Sequence, residues 1–394
     1  MRGIYFFYFF YYLDPVQIMQ FSQVYGQNQL KEKLINSVQE GRIAHAQLFF
    51  GPGGSGSLAL ALAYIQYVAC LARSEMDSCG TCSSCRKISR LEHPDLHFVF
   101  PVNITKKISK DPMCDDFLPE WREFVLANPY FTDNQWYDFI GLANKQGLIS
   151  KRESDAIIRK LSLKSFESDY KFMLVWLPEK MNASSANVLL KLIEEPPPKT
   201  LFLFVSENPG QLLITIASRL QHVRLAAIDD ESMRLALQQR YQISGEASDD
   251  IVHLARGNLV EAAEMVRTSE ENELNLERFI SIMRFCWTRS YLEVNNWVEE
   301  MAGLGRENLK NFFNYALHLV RENFILNLKN DKLNYMTQKE AEFASRFHPF
   351  INGNNVIRIS EELTSAMADI QRNGYAKLVL FDMSLRLMKL IRSK

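Results

Sequence analysis

The segment Gly51-Pro-Gly-Gly-Ser-Gly56 constrains the fold more than any other stretch of the chain. It follows a short apolar run, Ala46-Gln-Leu-Phe-Phe50, that reads as a buried strand, and precedes residues 58–71, an Ala- and Leu-rich stretch that reads as a helix. The same alternation returns further on. Residues 96–100, 172–177 and 201–205 read as strands, and residues 27–40, 155–163, 184–193 and 212–218 as helices. Strands separated by helices imply an α/β fold whose parallel sheet is covered on both faces. Between the second and third strands, residues 103–153 mix aromatic residues with Pro, Asn and Asp breakers and read as an inserted helical subregion. No strand signal survives beyond about residue 227. Residues 229–270 read as a small helical unit and 275–394 as a larger all-helical domain. With 394 residues, two to four domains are expected.

Charge removes one class of function. Lys and Arg number 45 and Asp and Glu 46, so a net charge of −1 gives no global basic footprint for nucleic acid. No stretch supplies the ~20 apolar residues of a membrane helix. The first 13 residues, rich in Tyr and Phe, have the apolarity of a signal-peptide core. Asp14-Pro15 follows instead of a small-residue cleavage site, so residues 1–20 read as an N-terminal extension with Met19 as a start. A cytoplasmic protein is expected.

A glycine turn between strand and helix aims backbone N–H groups and a helix N-terminus at an anion. Nucleotide binding also requires a Lys after the last Gly, to reach the β- and γ-phosphates, then Ser or Thr for magnesium. The spacing from Gly51 to Gly56 is kept, but the next two positions hold Ser57 and Leu58. The third strand ends in Trp176 and Leu177 where an ATPase would carry carboxylates. Tight-turn geometry therefore explains the glycines better than ATP binding.

Four of the six cysteines, Cys70, Cys79, Cys82 and Cys85, have the spacing of an all-thiolate tetrahedral site. The predicted metal is structural zinc, since four protein ligands leave no open position. Cys114 and Cys286 stand alone and read as ordinary cysteines.

Asn187-Val-Leu-Leu-Lys-Leu-Ile-Glu-Glu-Pro-Pro197, then Phe202-Leu-Phe-Val-Ser206 and Thr215-Ile-Ala-Ser-Arg-Leu220, resemble the bacterial clamp-loader AAA+ family, the gamma/tau and delta-prime subunits of DNA polymerase III. Phe21-Ser-Gln-Val-Tyr-Gly-Gln27 and His45-Ala-Gln-Leu-Phe-Phe-Gly51 resemble its first blocks. The resemblance covers roughly residues 21–100 and 155–265. It implies an AAA+ nucleotide-fold domain over 21–226, a helical lid over 227–272 and a helical collar over 273–394 that joins a five-subunit ring. It also implies gamma/tau and delta subunits as partners, with the sliding clamp and primer–template DNA reached through the assembly in a cytoplasmic replisome. Besides the losses at Ser57, Leu58, Trp176 and Leu177, the lid signature reads Gly257-Asn-Leu-Val260, with Val260 in place of a phosphate-sensing Arg. These departures favour the non-hydrolysing delta-prime type, with no catalytic site of its own, within a polymerase holoenzyme. What is kept is Ser218-Arg219, whose Arg the family directs at a neighbour's γ-phosphate.

Other candidates carry less. No motif places a Ser, Cys or paired carboxylate with His45, and His93 and His97 adjoin a cysteine cluster whose four ligands are already complete. The pair Glu194-Glu195 closes a helix before three prolines, and the resemblance makes it packing and loop geometry. Trp287, Trp297, Phe312, Phe313 and Tyr315 have helical spacing and read as core. The rival functions are a gamma/tau-like ATPase with an atypical loop and an independent zinc-dependent DNA binder.

Overall fold

The computed structural model describes residues 20–142, 145–327 and 336–392. Apart from Gln20, the expected N-terminal extension lies outside the described residues. Among the described residues five strands form one sheet: β1 (Ala46–Phe50), β2 (Leu96–Val99), β3 (Lys171–Trp176), β4 (Thr200–Ser206) and β5 (Gln221–Arg224). They are all parallel and lie in the order β2–β3–β4–β1–β5, the expected AAA+-type sheet. In the register, Leu48 of β1 faces Phe204 of β4, and Leu174 of β3 faces Leu203. Every residue of β3 and β4 is buried, which is why these strands read as continuous apolar runs and not as alternating ones. The edge strand β5 gives no such signal. Only Val223 of its Gln-His-Val-Arg is buried, so the periodicity that betrays the other four is missing.

Around this sheet run α1 (Asn28–Gln39), α2 (Ser57–Ala69), α3 (Ser83–Ile88), α4 (Leu118–Ala127), α5 (Asp133–Phe139), α6 (Lys151–Ser162), α7 (Ala183–Glu194) and the single turn α8 (Ile214–Ala217). Helix α2 is buried over nearly all its length, which accounts for its lack of a polar face. Asn182 caps α7 by accepting the Ser185 N–H at 2.7 Å. The inserted region 103–153 contributes α4 and α5, the latter opened by a capping box between Thr132 and Gln135. Its aromatic residues pack together on the end of β3. Trp121 stacks on Phe100 at 4.3 Å and meets Trp136 edge-on at 5.2 Å, while Trp176 lies 5.3 Å from Trp121 and 5.0 Å from Phe131. The apolar end of β3 is thus the floor of the insertion's core.

Beyond the sheet lie α9 (Asp230–Tyr241), α10 (Glu246–Ala255) and the 30-residue α11 (Leu259–Thr288). The chain divides into two compact units between Met265 and Val266. The second unit contains the remainder of α11 with α12 (Tyr291–Gly303), α13 (Arg306–Asn327), α14 (Gln338–Phe347), α15 (Val356–Gln371) and α16 (Ala376–Leu390). Its core includes Phe279, Trp297, Phe312, Phe313, Leu363, Met383 and Leu387, with Tyr315 at its margin. Trp287 departs from the expected core role: it is 41% exposed, and the Arg392 guanidinium lies over its ring. Among the described residues no helix is long and apolar enough to cross a membrane.

Candidate functional site

Helix α2 has a candidate site at each end. Cys70 follows its last residue, Cys82 caps α3, and Cys85 lies within α3. The four sulfurs of Cys70, Cys79, Cys82 and Cys85 lie within 4.8 Å of one another. Cys79 Sγ is 3.5 Å from that of Cys70 and 3.9 Å from that of Cys85. Tetrahedral thiolates at about 2.3 Å from zinc would stand about 3.8 Å apart, so the donor set fits a structural metal. The backbone is arranged for thiolates: Cys79 N–H donates to Cys70 Sγ and Cys82 N–H to Cys79 Sγ, both at 3.3 Å, and Cys85 N–H to Cys82 Sγ at 3.4 Å. N–H groups of Thr81 and Cys82 bring the Cys79 thiol down to about 6, whereas burial pushes those of Cys70 and Cys85 up. Gly80, at φ +69°, makes the turn between the paired ligands.

At the other end, Gly51–Gly56 wraps the N-terminus of α2 as expected, with Ser57 and Leu58 beginning the helix. The space in front of this loop is filled. A cavity of about 40 Å³ remains between the loop, Pro129, Tyr130, Phe131, Trp176 and Ser206, against roughly 300–1,000 Å³ for an ordinary ligand pocket. Tyr130 lies so close to the loop that a Cβ on Gly56 would stand 2.7 Å from its ring. From the far side, Asn258 closes on Gly54, where a Cβ would be 1.9 Å from Asn258 Oδ1, and Leu259 N–H donates to the Gly54 carbonyl at 3.3 Å. Leu58, Trp176 and Leu177 are buried, and Val260 is 9% exposed. None of these four offers a charge to a phosphate or a metal ion.

Arg219 follows α8 at the protein surface. Its Nε donates to Glu194 Oε1 at 2.6 Å and its Nη1 to the Thr215 carbonyl at 2.7 Å. Ser218 Oγ also donates to the Thr215 carbonyl, at 3.4 Å.

The sequence has counterparts in known proteins. A family model described as DNA polymerase III, delta subunit, matches residues 26–229, just over half of the chain. The chain belongs to the DNA polymerase III delta-prime subunit family. It is 26% identical over 250 residues to the delta-prime subunit of Bacillus subtilis (strain 168), covering 62% of this chain and 60% of that protein. With the delta-prime subunit of Yersinia pestis it shares 31% over 199 residues, covering 50% and 46%. The tau subunit of Escherichia coli (strain K12) is 28% identical over 218 residues, covering 55% of this chain and 27% of that protein.

The matched region of this delta-prime family member holds both ends of α2, yet several residues that shape them carry no sequence signal. Asp77 ties the start of the described chain to the cysteine module by accepting N–H groups of Phe21 and Ser22 at 3.0 and 2.9 Å. Tyr130 and Asn258 reach the glycine loop from distant segments, and Asn128 holds the Tyr130 backbone. Glu194, read from sequence as loop geometry, is the partner of Arg219. The remaining candidates have local duties. His45 Nε2 bonds the Ile193 carbonyl at 2.9 Å, and buried His93 accepts the Asp95 N–H at Nδ1. His97 is partly buried, and burial lowers its basicity. Cys114 and Cys286 are buried and donate to the Phe100 and Ser384 carbonyls.

Proposed function

We propose that this chain is a non-hydrolysing, delta-prime-type subunit of the DNA polymerase III clamp loader. In this reading it helps gamma/tau ATPase subunits and a delta subunit load the sliding clamp on primed DNA, in the cytoplasm. Residues 227–272 act as a helical lid and 273–394 as a collar that joins the ring. Zinc, held by Cys70, Cys79, Cys82 and Cys85, stabilises the first domain and takes no part in chemistry. The chain's own site is not catalytic.

The observation that carries this reading is the filled phosphate loop. What supports it is a cavity of only about 40 Å³ in front of the loop, far below an ordinary ligand pocket, together with the lack of the Lys and Thr that hold a triphosphate. What the chain offers instead is Arg219, exposed enough to reach a neighbour's nucleotide. A guanidinium brought across an interface stabilises charge on a transferring phosphoryl group, worth about 10³–10⁵ in rate in GTPases. A ring with several ATP sites and one missing finger should lose less.

Two measurements test the reading. A fluorescent ATP analogue with magnesium should not bind the purified chain; micromolar binding would make it a gamma/tau-like ATPase instead. A reconstituted loader carrying Arg219→Ala should assemble, yet hydrolyse ATP and load clamps more slowly than wild type. Wild-type rates from the assembled variant would remove the trans-acting role.

A further inference from the structure

The side chains in front of the glycine loop do more than take up room. Asn128 grips the backbone of Tyr130 from both sides: its Nδ2 donates to the Tyr130 carbonyl at 2.7 Å and its Oδ1 accepts the Tyr130 N–H at 3.0 Å. This holds the tyrosine ring against Gly56, and the phenol oxygen accepts the Tyr25 N–H at 3.2 Å. The same Asn128 Oδ1 accepts Nη1 of Arg240 at 3.1 Å, and the Arg240 guanidinium lies 5.6 Å over the Tyr130 ring. Arg240 belongs to α9, in the segment expected to form the lid, and is only 2% exposed. A buried guanidinium is costly unless paired or placed over an aromatic face. Here the insertion supplies one amide oxygen, from Asn128, and the aromatic face of Tyr130. Two residues of the insertion thus hold the buried guanidinium of α9.

We propose that Asn128–Phe131 is a built-in occupant of the cleft that clamps α9 over the phosphate loop and so holds one lid position without nucleotide. The proposal rests on the reading that this chain binds no nucleotide, and it adds what takes the nucleotide's place. A nucleotide bound in such a cleft would touch both loop and lid, and could close one upon the other only while bound. Tyr130 touches both as well, but it is covalently part of the chain and cannot be released. The closed arrangement is permanent, with Asn258 and Leu259 on Gly54 as a second latch. Asn128, Tyr130 and Arg240 act here as positioning residues.

The test is amide hydrogen exchange on the full-length chain, with Tyr130→Leu as the main variant. Leucine keeps the site apolar but removes the ring face over which Arg240 lies. Amides of residues 231–255 should exchange about tenfold faster or more, while those of β3 and β4 stay protected. Adding Arg240→Met to Tyr130→Leu should restore slow exchange, because the stranded charge is gone. Should Tyr130→Leu fold poorly, Asn128→Ala should show the same lid-specific acceleration to a smaller degree. Wild-type exchange over 231–255 in the folded variants, or equal acceleration in lid and sheet, would overturn the clamp. Magnesium ATP added to the wild type should change nothing. If it altered exchange at the loop, the no-nucleotide reading would fail, whereas the variant series would still decide the clamp.

Discussion

The two ends of α2 make the sharpest contrast in the molecule. Both carry a short motif that is recognisable in sequence, and both keep the backbone geometry the motif requires. At the C-terminal end the ligand chemistry is complete: four sulfurs converge, with N–H groups directed at three of them. At the N-terminal end the geometry persists and the chemistry is gone. The difference lies in what else the residues do. Gly54 and Gly56 have φ of +66° and +88°, and a Cβ on Gly51 would stand 2.8 Å from both Leu225 Cβ and Ser55 Oγ. These glycines are required by the fold whether or not a phosphate is present. Four clustered thiols fit a structural metal site. A glycine loop by itself is thus weaker ground for a phosphate than a cysteine quartet is for a metal.

The largest effect should come from the C-terminal end. Cys82→Ser removes one of four ligands, so bound zinc should be lost and the first unit should unfold at a markedly lower temperature, since structural zinc contributes folding energy directly. Metal analysis should find one zinc per wild-type chain and far less in the variant. A metal-free wild type with unchanged Tm would erase the contrast.

Next comes the floor beneath the glycine loop. Trp176 occupies the position of a catalytic carboxylate but is 2% exposed and packs on Trp121 and Phe131. Trp176→Ala should cost about 3–5 kcal/mol by chemical denaturation, the range for truncating a buried aromatic. A cost below about 1 kcal/mol would mean that this site is not core, and that the emptied end of α2 is less committed than its packing indicates.

Reading the chain from its sequence succeeds where the signal is local. The cysteine spacing, the glycine turn and four of the five described strands depend on residues close together in the chain. Strand β5 escapes because an edge strand with one buried residue has no periodicity. The filling of the cleft escapes for another reason. Tyr130 meets Gly56 across more than seventy residues, and Asn258 meets Gly54 across some two hundred. Within the insertion nothing distinguishes Tyr130 from its other aromatic residues until the chain is folded. The lack of a lysine at Ser57 and of a carboxylate at Trp176 is legible in the sequence; the packing of Tyr130 and Asn258 against the loop is not.

Restoring the missing side chains sharpens the contrast further. Ser57→Lys with Leu58→Thr returns the phosphate-binding residues to the loop but leaves Tyr130, Trp176 and Asn258 in place. Loss of the buried Leu58 should cost about 1–3 kcal/mol. Steady-state assays should detect no ATP turnover, because nothing holds magnesium or positions water. Turnover by this double variant would show that the cleft opens readily and that side-chain identity alone had silenced it.

The smallest effect on folding should come from the pair that touches neither end of α2. The side chains of Arg219 and Glu194 are 38% and 48% exposed, and an ion pair so placed contributes ~0–1 kcal/mol. Arg219→Ala and Glu194→Gln should therefore both leave Tm nearly unchanged. Their effects should separate in the reconstituted loader. If Arg219 acts on a neighbour's nucleotide, Glu194 competes with that nucleotide for the guanidinium, so Glu194→Gln should not lower the ATPase rate and Arg219→Ala should. Arg219→Lys should fall as well, because an ammonium cannot reproduce the planar fork of the guanidinium. A purely structural pair predicts that neither substitution is visible in the rate. Thermal unfolding of the isolated chain and ATP hydrolysis by the complex, measured on the same three variants, decide between a guanidinium held for its neighbour and one held for its own chain.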